Sequence, residues 1–277
     1  MRSVAETIPE IVAATGITHP NVPPHERITF TAVAWNEEAR AEKLLTLARH
    51  WFSHMVVGVQ ESTDATLEIA GVIVDRDTDQ LIQHPHYGTG DASMHDLVRR
   101  VKTDWAFVVA FDELPDSELL ESLSSVAAIA DLKGYDAVWV PFISIVEGVE
   151  YTEQHGHLRL FRSQLRWPRT MHSRPTGSRE IWWPHGHILH ERSLDEMMRD
   201  YLRIYQLGRG NTGWERHNTL MMHDACVTVA ARVGWNQVTT YDWWPEVRDI
   251  AFTEETPWLD ETGPIQNPRS TSSRRRR

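Results

Sequence analysis

Between residues 28 and 111 the chain alternates apolar or β-branched runs with stretches of helical period, and this alternation most narrows what it can fold into. Ile28-Thr29-Phe30-Thr31-Ala32-Val33-Ala34 reads as a strand, after which Asn36-Glu37-Glu38 opens a helix with Leu44, Leu45, Leu47 and Ala48 on one face. Residues 55–59 read as a second buried strand, Ser62-Thr63-Asp64 as a helix cap, and residues 65–70 as a short helix. Val72-Ile73-Val74 is expected as the third strand, followed by a polar loop through Gly90 and a helix over about residues 92–102. The apolar run 105–111, ending at Asp112-Glu113, suits a fully buried parallel strand. Four strands alternating with helices imply an α/β fold with a doubly wound, mostly parallel sheet whose ligands sit beyond the strand carboxyl ends.

Further on, a helix is expected over residues 116–131 and strands over 137–142 and 157–162. Helices over 193–206 and 223–232 are each stopped by a nearby glycine, Gly208 and Gly234. His19-Pro20-Asn21-Val22-Pro23-Pro24 cannot continue a helix, so residues 1–27 are expected as an arm and Pro-rich connector. The Rossmann-like half is expected over 28–150, a mixed Arg- and Trp-rich half of the same domain over 151–261, and a disordered basic tail over 262–277.

Composition sets limits on this picture. Only Cys226 is present, which excludes intramolecular disulfides and zinc sites built on several cysteines. No apolar stretch is long enough to span a membrane and the first residues do not read as a secretory signal, so a cytoplasmic protein is expected. The net charge of −11 is uneven: the first 150 residues carry 24 acidic and 10 basic side chains, and the remainder is mildly basic with arginine alone. Seven arginines, Arg159, Arg162, Arg166, Arg169, Arg174, Arg179 and Arg192, fall between residues 157 and 192. Such a segment suits a clamp on a diphosphate or contact with a nucleic-acid backbone.

Three short motifs then make a family resemblance visible. Asn36-Glu37-Glu38 resembles the "NEE" after the first strand of family 2 glycosyltransferases, and Ser62-Thr63-Asp64-Ala65-Thr66 resembles their "STDGT" turn. Phe111-Asp112-Glu113 resembles the end of their "DADE" signature, with Ala110 in place of the first aspartate. Leu158-Arg159-Leu160-Phe161-Arg162, Trp167, His172 and Ile188-Leu189-His190 resemble a run in the branch that includes lipopolysaccharide-core glucosyltransferases. The resemblance covers about residues 28–205 and implies a GT-A fold and transfer of a sugar from a nucleoside diphosphate carrier to a hydroxyl acceptor.

On that resemblance, Asn36, Glu37, Gln60, Asp64, Asp112, Glu113 and Arg162 are expected to bind the donor. A divalent metal, Mn²⁺ or Mg²⁺, is expected on Asp112 with His172 and His190, where it would offset charge on the leaving diphosphate. Loss of the first aspartate leaves fewer hard ligands, so Glu113 or arginines are alternatives for the same task. A base for the acceptor hydroxyl is sought among Glu191, Asp195 and Asp224. The acceptor stays open among glycan, lipid, protein and a hydroxymethylated base in DNA. Trp182-Trp183, Trp243-Trp244 and Trp258 offer ring faces for stacking on sugars or bases. A non-catalytic relative that binds nucleotide sugar is the alternative of another class, favoured by Ala110 and by Ser173 where the family has glutamate. A nucleotidyltransferase on a similar sheet lacks its Gly-rich first loop here.

Overall fold

The computed structural model describes residues 25–86, 90–151, 156–167, 175, 178–193 and 196. The residues before 25, the expected helix at 223–232, most of that at 193–206 and the basic tail lie outside the described residues.

Seven described strands form one sheet. β1 (His25–Ala34), β2 (Phe52–Gln60), β3 (Gln80–His84) and β4 (Trp105–Val108) are joined by helices α1 (Glu38–Trp51), α2 (Thr66–Ile73) and α3 (Gly90–Val98). With β6 (Ala137–Val140), β9 (His157–Arg162) and β10 (Glu180–Trp182) the order is β10-β6-β9-β4-β1-β2-β3. β3, β2, β1 and β4 pair in parallel, as do β6 and β10, while β9 runs antiparallel between β4 and β6. The sheet is therefore mostly parallel, as expected. The stretch after residue 151 supplies β9 and β10 to this same sheet.

Period-two alternation assigns the two faces. Trp105, Phe107 and Val109 pack with Phe30, Ala32 and Val57 under α1, α2 and α4 (Ser117–Lys133), whereas Ala106, Val108 and Phe161 pack with Met94 and Val98 of α3. Helices cover both faces, which is the doubly wound arrangement. α1 buries Ala41, Leu44, Leu45 and Ala48, and carries Glu38 in its first turn and Arg49 in its last, each matching the helix dipole. α4 is capped by Asp116, whose side chain accepts from the Leu119 N–H at 2.8 Å, and is stopped by Gly134 at φ 69°.

A second sheet, in the order β5-β11-β7-β8, is built from β5 (Glu113–Pro115), β7 (Phe142–Val146), β8 (Val149–Tyr151) and β11 (Ile188–Arg192). β4, β6 and β10 of the main sheet continue into β5, β7 and β11 through residues 109–112, Pro141 and residues 183–187. The strand expected over 137–142 is thus two strands. Pro141 has no N–H for a ladder, and its carbonyl instead accepts from Ile188 N–H at 3.0 Å.

Two further expectations are corrected. Val72 and Ile73 end α2 rather than forming a strand; the Val74 N–H donates to Ala70 O at 2.8 Å, and Val72 is exposed. The third strand is β3, whose sequence Gln80-Leu81-Ile82-Gln83-His84 lacks an apolar run because it lies at the sheet edge and is mostly half-buried. The fold also begins earlier than residue 28. His25 is buried, with its ring nitrogens on Ser124 Oγ at 2.6 Å and Leu120 O at 2.8 Å.

Candidate functional site at the strand carboxyl ends

The site is assembled where β1, β2 and β4 end. After Ala34 the chain turns at Asn36, which takes the left-handed conformation (φ 54°) that asparagine tolerates better than most residues. Its backbone N–H donates to Ser62 Oγ at 3.0 Å and its Oδ1 accepts from Thr63 N–H at 2.8 Å. Asp64 accepts from the N–H groups of Glu38 and Thr66, each at 3.0 Å, and so joins the starts of α1 and α2. Asn36 and Asp64 therefore stitch the two loops together. Burial acts to raise the Asp64 carboxyl, but the Thr66 side chain and these backbone donors outweigh it and hold it below its ordinary value.

Gln60 is buried, its Nε2 donating to Ser93 Oγ at 3.0 Å and its Oε1 lying 2.9 Å from His86 Nδ1. That His86 ring stacks on Trp35, with centroids 3.9 Å apart and planes at 20°, leaving Trp35 38% exposed at the end of β1. The aromatic pair, which the sequence reading did not single out, presents the ring surface, while the Gln60 amide is turned to the interior.

Asp112 lies on the turn between β4 and β5. Its Oδ2 is 2.7 Å from Nε2 of His190 on β11, which the antiparallel pairing of β5 with β11 brings opposite Glu113. Burial works to raise the Asp112 carboxyl; the charge and hydrogen bond of His190, with Arg192 adding to them, hold it well below the usual carboxylate range. Glu37, at the start of α1, responds in the opposite sense. Burial, reinforced by the charge of Asp112, pushes its carboxyl up to about 7 against the opposing pull of Arg40. Arg40 donates to Glu37 at 3.2 Å and to Glu196 at 2.7 Å, and Glu196 in turn accepts from Ser193 N–H at 2.8 Å.

Glu113 faces inward. Its Oε2 accepts from Ala110 N–H at 2.9 Å and its Oε1 is ion-paired with Arg159, so both oxygens are engaged within the protein, although the residue borders the cleft. Arg162 is not brought to this end. Because β9 is antiparallel, Arg162 pairs with Trp105 at the start of β4, bonds Asp131 at 2.6 Å and lies over the Trp105 ring. Arg179 lies over Tyr135 next to the start of β6, so the described arginines do not form one clamp. Glu191 is exposed and borders the cleft, whereas His172, Asp195 and Asp224 lie outside the described residues.

Between α1 and the second sheet lies a cleft of about 630 Å³. Arg40, Lys43 and Leu44 line one wall, Ile145, Leu189 and Arg192 the other, and Asp112 reaches it from the junction of the two sheets. Arg192 belongs to the arginine-rich segment noted in the sequence, whereas Arg40 and Lys43 were missed, although the i, i+3, i+4 spacing of Arg40, Lys43 and Leu44 places them on one helix face. A separate cavity of about 160 Å³ at the strand amino ends, beside Thr29 and His54, is small for a nucleotide. Among the described residues no group of three or more His, Cys, Asp and Glu is placed to hold a metal ion. Asp112 and His190 are too few for a protein-only cage, but they suffice for an ion whose other ligands are substrate phosphate and water. No helix among the described residues is long and apolar enough to cross a membrane.

Fold and site together define an open α/β sheet protein with a charged crevice at the strand carboxyl ends. No family model and no curated protein matches the chain. Among solved structures, Staphylococcus aureus TarS 1–349 in complex with UDP is similar at TM-score 0.47 and 12% identity over 79% of this chain and 75% of that one. The longer S. aureus TarS chain gives 0.45 and 13% over 78% of this chain, which spans 45% of the TarS length. Glucosyl-3-phosphoglycerate synthase from Mycobacterium tuberculosis, in complex with Mg²⁺ and UDP, gives 0.32 and 18% over 51% of this chain and 48% of that one. At such identities and TM-scores, likeness fixes neither ligand nor activity.

Proposed function

We propose that the chain is a GT-A-type glycosyltransferase that moves a sugar from a nucleoside diphosphate donor to a hydroxyl acceptor. The observation that carries this reading is the Asp112–His190 pair at the strand carboxyl ends, of which Asp112 lines a cleft large enough for a nucleotide sugar. Breaking the bond between sugar and diphosphate leaves negative charge on the departing phosphate, and the site must offset it. Asp112 and His190 would hold a divalent cation, which supplies Lewis-acid stabilisation when bound. Lys43 and Arg192 add positive charge on the cleft walls. Trp35, backed by His86, offers a flat face for the base. Glu191 borders the cleft and is the described candidate to take the acceptor proton.

The test is a screen of UDP-, GDP- and TDP-sugars, with and without Mn²⁺, for hydrolysis without acceptor and for transfer to glycan, lipid and protein hydroxyls. Turnover of one donor supports the reading, and neither turnover nor binding of any donor overturns it. Binding without product would identify a nucleotide-sugar binder instead, the reading that Ala110 in place of an aspartate favours.

A further inference from the structure

Arg159 sits at an irregularity in the sheet. In the pairing of β6 with β9, Val138 lies opposite Leu160 and Trp139 opposite Leu158, so Arg159 is an extra residue on its strand. The side chains record the same shift. Leu160 joins the core beneath α1 and Leu158 the core beneath α3, although two residues apart on a regular strand they would share a face. Such bulges commonly re-aim a side chain near a functional site.

The guanidinium so placed meets two groups. Its Nη2 donates to Glu113 Oε1, and Glu113 closes the turn that carries Asp112: its Oε2 accepts from Ala110 N–H at 2.9 Å and its own N–H donates to Ala110 O at 3.1 Å. The Arg159 Cζ also lies 5.8 Å from the centroid of Phe142, whose ring meets the His190 imidazole edge-on at 5.1 Å. One cation thus supports the turn beneath Asp112 and the ring beside His190. Among the described residues its Nε is buried without a hydrogen-bond partner, a cost that the contact with Glu113 offsets.

We propose that Arg159 is a positioning residue for the Asp112–His190 pair, acting on Asp112 through Glu113 and on His190 through Phe142. The inference rests on the reading of that pair as functional, and its test separates the two. In proton NMR of the full chain without metal, the His190 ring N–H donated to Asp112 should give a resonance protected from water exchange, assigned by its loss in His190→Asn. Arg159→Met is expected to abolish it, Arg159→Lys to restore it in part, and the exposed Arg166→Met to leave it unchanged. The double variant Glu113→Gln/Arg159→Met removes the unpaired buried carboxylate, so the measurement remains available if Arg159→Met alone does not fold. A resonance unchanged in both Arg159→Met and the double variant overturns the proposal. With an active donor, kcat should fall about ten- to hundredfold in Arg159→Met with little change in KM, the scale seen when residues orienting functional groups are removed. Loss of the resonance in Arg159→Met, in a protein that turns over no donor, leaves Arg159 as the organiser of the pair and refutes the transferase reading alone.

Discussion

Asp112 and His190 meet at 2.7 Å across the junction of two sheets, although 78 positions separate them in the chain. The contact depends on β11 lying between β5 and β7 in the second sheet. Asp112→Ala removes the only carboxylate of the pair, and donor turnover should fall by about a hundredfold or more, the scale of several kcal/mol of charge stabilisation. Steady-state hydrolysis assays check this. Retained activity would place the reacting centre elsewhere.

Glu37 gives the fold a defined pH dependence. Its carboxyl lies near 7 when folded against an ordinary 4.5, so between those values the folded chain keeps a proton that the unfolded chain releases. Stability from this group is therefore full below 4.5 and is lost as the pH rises through about 7, a change on the order of 3 kcal/mol. Glu37→Gln should flatten this slope and raise stability at about pH 8 relative to the parent. Urea midpoints across the window decide it, and parallel curves for the two proteins would count against the burial argument.

Much of this was legible in the sequence, for reasons that can be traced. The apolar runs of β1, β2 and β4 and the alternation in β9 declared themselves because those strands are buried in the middle of the sheet. β3 did not, since an edge strand needs no continuous apolar run, and Val72 and Ile73 carried a stronger strand signal while ending a helix. Asp112 and His190 could be grouped, with His172, through the family resemblance, but their direct contact could not be read, because it depends on three-residue β5 and its antiparallel partner. The direction of β9 was equally hidden, and it decides that Arg159 lies near the site while Arg162 lies at the far end.

Asp64 is expected to reveal itself through stability. Asp64→Ala removes acceptors for the Glu38 and Thr66 N–H groups, and about 1–2 kcal/mol should be lost, as for other caps. Because its carboxyl is held below the ordinary value, that loss should shrink as the pH falls through the acidic range. Thermal denaturation of the two proteins at neutral and acid pH measures it. Weaker donor binding with an unchanged melting temperature would point instead to direct contact with ligand.

Gly186 tests the packing between the loop before β11 and the start of α4. It has φ 71°, and a Cβ there would collide with the backbone of Leu119. Gly186→Ala combines strain with overlap against main chain, and should destabilise by more than about 2 kcal/mol. A denaturation midpoint equal to the parent's would show that the loop can shift aside.

The three passages of chain from one sheet to the other have a mechanical consequence. Residues 109–112, Pro141 and residues 183–187 tie the sheets at three places, so parting them would require bending all three connections together. The cleft wall formed by the second sheet is thus held to the wall's own foundation, the main sheet, and shares its stiffness. Among the described residues, room for a bulkier ligand would come from the side chains of Arg40 and Lys43 or from the hairpin tip at Glu147 and Gly148, which border the same cleft. Size selectivity at this site would then be written in a few exchangeable surface residues, leaving the framework that aligns Asp112 with His190 untouched.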